Sequence, residues 1–290
     1  MNQSMTVDRS GTASTGSDPA DGAPAPAGRR SVSSPPGSGT GRLHYDDLGQ
    51  VPGLLGWAKV FARFTGPRVL AGAATAAIVR RVRLGRWRWA DAWVAAMVVV
   101  LHPFAEWWVH VRVLHRRRRS GLAPETFAAR MHRRHHEDPK DVELVLLPLR
   151  SVAGLVAGIW VSALVARDRR RGATAAATSL VSLLAYEWMH FLIHSSYRPK
   201  RSWYRARWRA HRLHHYRSER YWFGVVGTVA DRVFGTAPQR SEVAISPTAR
   251  TLGVAGAADP GTRPHEAATE VGASDRPTGA GADAEDGVRP

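Results

Sequence analysis

The chain has 290 residues and no cysteine, which excludes disulfides, zinc ribbons, Cys-ligated iron–sulfur clusters and thiolate catalysis. Lys and Arg number 41 against 24 Asp and Glu, and the excess is concentrated: residues 43–240 hold 33 of the basic and 13 of the acidic groups. The same stretch holds all 11 Trp and 12 of the 13 His, so any metal must sit mainly on nitrogen or oxygen donors found there.

Residues 1–42 are mostly Ser, Thr, Gly, Ala, Pro and Asp, without an aromatic residue. They bury too little apolar surface to offset the entropy of ordering, and no apolar run follows Met1 as it would in a signal peptide. A disordered tail is expected. The apolar run from Val69 to Val79 is too short to cross a bilayer unless residues 51–64 extend it, and five arginines follow between Arg80 and Arg88. Ala90–Val111, Val145–Ala166 and Ala173–Ile193 each approach the ~20 residues of a transmembrane helix. Trp87, Trp89, Trp107, Trp108 and Trp188 stand near the ends of these runs, where indole rings favour the headgroup layer. A soluble bundle of buried helices needs no such brackets. Residues 43–240 therefore read as an all-α membrane domain with three spans and a shorter fourth. From Ser241 to Pro290 the chain is again rich in Gly, Ala, Thr and Asp and interrupted by proline, and a second disordered tail, 241–290, is expected.

Ten of the histidines fall into four clusters: His110 and His115; His132, His135 and His136; His190 and His194; His211, His214 and His215. On a helix, residues at i, i+3 and i+4 share a face, so each HxxHH string projects its three rings together. The first of these helices is expected to begin near Pro124 and stop before Pro139, and the second to follow Pro199 with Ser202 as its N-cap. His110 and His115, at i and i+5, splay by about 140° on an ideal α-helix. Either they serve different metals or the helix breaks before the run Arg116 to Arg119. Glu106, Trp107, His110, His115 and His132–His136 recur as Glu187, Trp188, His190, His194 and His211–His215, an internal repeat at offsets of 79 to 81 residues. Two such halves, each with five imidazoles, point to a dinuclear centre between them. His102 reads as a packed core residue.

Ten imidazoles gathered at a membrane edge stay poorly paired without a cation, but imidazole suits Zn, Cu, Fe and Ni alike. HExxH, the zinc-protease string, is absent. A histidine-rich metal pair beside lipid points to oxygen chemistry on a C–H bond, since acyl chains lack other reactive groups over most of their length. For the metals to join the clusters, all four must lie on one side of the membrane. The charge count agrees: segments 112–142 and 198–220 carry nine Lys and Arg each, against five in 80–88 and four in 166–172, which puts both long segments in the cytoplasm.

On EWWVH, YEWMHFLIH, HRLHHYRSERYWFG, ADRVFGT and the four clusters in order, residues 90–236 resemble the fatty acid hydroxylase/sterol desaturase superfamily of membrane di-iron oxygenases, most of all its fatty acid 2-hydroxylase branch. The resemblance implies an all-α fold of about four transmembrane helices with a cytoplasmic helical cap around a histidine-rich dimetal site in the cell membrane. It implies two Fe ions, replaceable by Zn, O2 as co-substrate and hydroxylation of an acyl chain of a membrane lipid. The ligands it carries over are His110, His115, His132, His135, His136, His190, His194, His211, His214 and His215. Glu137, Asp138, Asp141 and Glu219 lie beside the clusters and are candidates to accept ring N–H bonds, ordinary pairing with arginine being the alternative. Tyr216, Tyr221 and Trp222 are candidates to line the substrate entrance, with packing expected for two of the three. Asp231 reads as a turn residue.

Many fatty acid 2-hydroxylases carry a fused haem domain; this sequence shows none, so electrons are expected from a separate ferredoxin or cytochrome. The arginines of 116–119 and 198–220 fit anionic lipid headgroups first, and an acidic redox partner or acyl carrier protein second. Nucleic acid is not expected as a partner. The same centre would serve a sterol, carotenoid or other isoprenoid, as hydroxylase or desaturase. The reading from another class is a metal-binding transporter or sensor, which the scarcity of ionisable groups inside the apolar runs disfavours.

Overall fold

The computed structural model describes residues 42–115 and 125–253, and among the described residues regular structure is helical apart from one isolated bridge between His44 and Asp141. Of the expected tails, 1–42 and 241–290, residues 1–41 and 254–290 lie outside the described residues, as do His265, Pro124 and the run Arg116 to Arg119.

The helices are α1 (Gly53–Phe61), α2 (Thr65–Arg83), α3 (Trp89–Val109), α4 (Phe127–Glu137), α5 (Val142–Val145), α6 (Leu149–Val165), α7 (Arg169–His194), α8 (Ser202–Tyr216), α9 (Val229–Val233) and α10 (Pro247–Thr251). Among the described residues, three stretches are long and apolar enough to cross a membrane: Trp89–Leu114, Val142–Val165 and Arg169–His194. They are the three runs read from the sequence. The short fourth run lies within α2, but residues 51–64 do not extend it: α1 is a separate helix, ended by a turn at Ala62, and it sends Trp57, Val60 and Phe61 into a core around Phe191. Instead α2 gains its length at both ends, from Thr65 and from the arginine turn, and its 19 residues span about 28 Å.

Small residues let α2 approach α7 closely. Ala74 and Ala77 of α2 are buried with Ala163 of α6 and with Ala176 and Leu180 of α7. The turn from α6 to α7 also needs glycine, because a Cβ on Gly172 would lie 2.8 Å from the Ala163 carbonyl. Helices α2 and α6 run away from the histidine end and α3 and α7 run back to it. The order α2–α3–α4 is thus repeated in direction by α6–α7–α8, the arrangement of a parallel repeat about an axis along the membrane normal.

Two boundaries differ from those read in the sequence. Ser202 is the first residue of α8, and Arg201 takes the N-cap position without a side-chain cap. The stretch 241–253 is folded: Val243 and Ala249 are buried, the Ser246 amide donates to the Arg217 carbonyl at 2.7 Å, and the Ser246 side chain caps α10 ahead of Pro247. Averaged composition over 241–290 hid this short apolar stretch with its own helix start.

Candidate metal centre

The ten clustered histidines come together, in two groups of five. His110, His115, His132, His136 and His214 form one group and His135, His190, His194, His211 and His215 the other; within each, one nitrogen per ring lies within 4.8 Å of the others. No carboxylate belongs to either group among the described residues.

The i, i+5 spacing of His110 and His115 is resolved by local geometry. Past Val109 the chain changes from α to π, over His110–Leu114, and the His115 amide donates to the His110 carbonyl at 2.9 Å. The wider turn brings residues five apart onto one face, so both rings enter the first group. On α4 and α8 the adjacent histidines of each HxxHH string diverge. His136 joins the first group while His135 joins the second, and His215 joins the second while His214 joins the first. The sequence repeat is therefore not the unit of the metal site. Each group takes four rings from one half and the middle ring of the other half's HxxHH string.

Backbone carbonyls orient four of the ten rings. Nδ1–H of His110 donates to the Phe223 carbonyl at 2.6 Å, and Nδ1–H of His214 to the Tyr221 carbonyl at 2.7 Å. His190 and His194 bond in the same way to the carbonyls of Val145 and Pro139. With Nδ1 holding the proton, Nε2 carries the lone pair. In the first group these Nε2 atoms crowd at 3.0 Å (His110 to His132), 3.0 Å (His115 to His132), 3.1 Å (His115 to His214) and 3.2 Å (His132 to His136). In the second group Nε2 of His190 and of His194 and both ring nitrogens of His135 are buried without a hydrogen-bond partner. Donors about 3 Å apart are adjacent ligands around an ion bound at about 2.1 Å. The donor set fits one metal per group.

Burial holds His115, His132, His135, His136, His211, His214 and His215 well below the ordinary imidazole value, and neighbouring rings add to the effect in each. The rings are neutral at neutral pH, the form that ligates.

The carboxylates that support the centre, Glu106 and Glu187, are corresponding members of the sequence repeat. Glu106 on α3 accepts from the amides of Val225 and Val226, whose loop also presents the Phe223 carbonyl to His110. Glu187 on α7, fully buried, accepts from the Leu147 amide at 2.9 Å, two residues after the carbonyl that holds His190. The two clasps correspond at offsets of 78 to 81 residues, and each runs from one half of the chain to the other. Asp231 ties the same 223–226 loop, accepting from the amides of Phe223 and Gly224 and from the Thr236 hydroxyl, as its reading as a turn residue anticipated.

Of the four carboxylates proposed from the sequence, three are engaged with solvent, His44 or a helix start, and Glu219 lies beside the first group. Glu137 is exposed. Asp138 pairs with His44 at 2.9 Å, and Asp141 caps α5 and faces Arg42 at 3.6 Å. Glu219 lines a cavity of about 690 Å³ beside the first group, with Glu125, Arg133 and Arg220. At His110, His190, His194 and His214 backbone carbonyls occupy the ring N–H positions for which these side chains are candidates. Tyr221 and Trp222 pack with Leu213 and Val243, and Tyr216 lies under the Arg212 guanidinium.

A different wall receives the apolar cavity. About 370 Å³ in volume, it is enclosed by Ala105 and Val109 of α3, Leu155 of α6 and Leu183 of α7. It reaches His110 and His132 of the first group and His135 and His190 of the second. None of the three aromatic candidates lines it. His102, read as packed core, does line it, with Nε2 buried and unpartnered.

No curated protein sequence matches the chain. A solved structure described as full-length Scs7p, with only the hydroxylase domain visible, superposes with a TM-score of 0.50 at 20% identity, over 71% of this chain and 70% of that one. At that identity the likeness speaks for the fold. Residues 95–236, from α3 through the 223–226 loop to Thr236, match the fatty acid hydroxylase family, and they include every clustered histidine. With that match, the ten imidazoles in two groups and the helices long enough to cross a membrane, residues 95–236 form a domain of the fatty acid hydroxylase family.

Proposed function

We propose that the protein hydroxylates a C–H bond on the acyl chain of a membrane lipid, with O2 as co-substrate and two iron ions as its metals. The observation that carries this reading is the apolar cavity: its walls come from the three membrane-crossing helices, and imidazoles of both groups line it. An acyl chain can enter from the bilayer without crossing water, and the cavity volume suits such a chain in part-length. Bound at the two groups, the irons would supply reductive activation of O2 and abstraction of the hydrogen atom. The chain's own residues position that chemistry. Carbonyls and carboxylates hold the rings, and Ala105, Val109, Leu155 and Leu183 exclude water and align the substrate.

The metal centre is proposed to face the cytoplasm at the cell membrane, on the argument from Lys and Arg counts. Electrons are proposed to come from a separate acidic donor, a ferredoxin or a cytochrome. Lys200, Arg201, Arg205 and Arg209 form an exposed basic face near the histidine-bearing end of the fold. The other part of the expected docking surface, Arg116 to Arg119, lies outside the described residues.

The test is lipid analysis under ¹⁸O2 in cells making the wild type or the His135→Ala, His214→Ala double variant, which removes the exchanged ring from each group. An acyl lipid gaining ¹⁸O only with the wild type is the expected result. A new double bond without label makes the enzyme a desaturase, and label in a ring lipid moves the substrate to the isoprenoids. No oxidised lipid, with iron confirmed in the protein and reductant supplied, overturns the reading. Ala105→Phe, which fills the cavity, is expected to cut turnover at least about tenfold with metal content unchanged.

A further inference from the structure

The end of the helices farthest from the histidines carries a second cavity that the hydroxylase chemistry does not use. It measures about 600 Å³ and lies between α2, α3 and α7. Its apolar wall is Ile78, Val82, Ala92, Ala95 and Ala177, and its polar rim includes Arg81, Trp87, Arg88 and Trp89. The rim is built around a buried network. Arg81, 2% exposed, pairs with Asp91 at 3.0 Å, donates to the Thr174 hydroxyl at 2.7 Å and to the Gly85 carbonyl, and lies 3.7 Å from the Trp87 ring. Arg170 donates to the Leu84 carbonyl and ties the same turn to α7. Gly85 and Arg86 both take left-handed backbone angles, φ 57° and 49°, so the turn at 84–86 is sharp and aims the following residues across the cavity mouth.

Charge and hydrophobicity then choose an occupant. Segments 80–91 and 166–172 carry nine arginines against Asp91 and Asp168. Asp91 is committed to Arg81, and Asp168 caps α7 and faces Arg171 at 3.4 Å. Arg83, Arg86 and Arg88 are exposed and make no ion pair among the described residues. Beside them Trp87 and Trp89 are 64% and 87% exposed at the level where the apolar length of α3 begins, the depth at which indole rings sit among headgroups. A ligand suited to this site has an anionic head for the arginines, an interfacial glycerol region for the indoles, and a hydrocarbon tail for the Ile78–Ala95 wall.

We infer that this cavity is a binding site for one anionic phospholipid, held by its phosphate at Arg88 on the rim, with the exposed Arg83 and Arg86 of the adjoining turn adding positive charge outside the cavity lining, and by one acyl chain along α2 and α3, remote from the metal centre. The site stabilises the α2–α3 turn and anchors that end of the domain in its leaflet. It depends on the helices crossing a bilayer and not on the reaction carried out at the other end.

The full chain, purified in neutral detergent, is titrated with phosphatidylglycerol and separately with phosphatidylcholine, reading retained lipid by native mass spectrometry and Tm by thermal unfolding. The wild type is expected to retain one phosphatidylglycerol saturably and to gain Tm with its concentration, with little response to phosphatidylcholine. Arg83→Gln, Arg86→Gln, Arg88→Gln together should weaken phosphatidylglycerol binding at least about tenfold. The matched triple Lys59→Gln, Arg63→Gln, Arg68→Gln, also of exposed residues but at the metal end, should leave it unchanged. Arg88→Gln alone, with an intermediate loss, serves should the triple variant not be recovered. Glycerol phosphate in place of the lipid should give no shift, since the tail contributes. Equal retention of both lipids, equal loss in both triple variants, or binding of glycerol phosphate alone would overturn the inference.

Discussion

Glu106 and Glu187 each reach across the chain's internal repeat to hold a loop whose carbonyl orients a histidine. Removing either carboxylate leaves an amide unpaired and frees that carbonyl, so Glu106→Ala and Glu187→Ala are each expected to weaken metal retention by roughly 10- to 100-fold. Metal content after dialysis against a graded chelator is the measurement. Glu106→Gln keeps one acceptor oxygen and is expected to retain most of the metal, an outcome that loss of packing alone would not give. Gly224 stands in the same loop, where a Cβ would collide with the Gly227 carbonyl. Gly224→Ala is expected to cost about 2 kcal/mol, read as a fall in Tm. Both carboxylates were visible in the sequence as members of the repeat, yet their role was not, because it is made with backbone amides about 120 and 40 residues away in the chain. Proximity in sequence favoured Glu137 and Asp138 instead, and helix direction sends those away from the rings.

At the scale of elements, the π turn after α3 decides whether His115 belongs to the centre. Inserting one alanine after the exposed Arg112 makes His110 and His115 an i, i+6 pair, about 120° apart on an α-helix, and swings His115 off the shared face. The variant is expected to lose metal from the first group and keep it in the second, and metal counting by elemental analysis checks this. His194→Ala should show the reverse, weakening the second group. Spacing predicted the alternatives here without choosing between them, since an i, i+5 pair is useless on an α-helix and well placed on a π turn. The HxxHH helices were legible at once. Which ring of each string crosses to the other group was not, because a one-residue step of 100° on two facing helices is set by how α4 and α8 pack. The three long apolar runs were likewise legible, while α2 was underestimated: its last turn is arginine, and burial of Arg81 against Asp91 and Thr174 is a tertiary fact.

For the whole molecule, acid is the opponent of the folded state. Seven of the clustered rings outside the membrane-spanning stretches are held well below the 6.5 they regain on unfolding. At pH 7 and above both states are mostly neutral, and the contrast has little effect. As pH falls through 6.5 the unfolded chain binds protons that the folded one refuses, so stability falls with pH. The metal-free protein is expected to lose Tm steadily from pH 7 to pH 5, and the metal-loaded protein to do so less, until protons displace the metal. Thermal unfolding of both forms across that range is the check. A Tm independent of pH would mean that the rings are solvated.

The exchange of His135 and His214 between the two groups has a consequence for connectivity. Neither half of the chain, taken alone, closes a ring of five imidazoles; a half-length polypeptide with this pattern completes one only against a second copy turned about the same axis. The covalent link from α5 to α6 thus tethers what would otherwise be two subunits sharing ligands. Residues 42–148 and 149–253 made as separate polypeptides would have to dimerise before either bound metal with its full set.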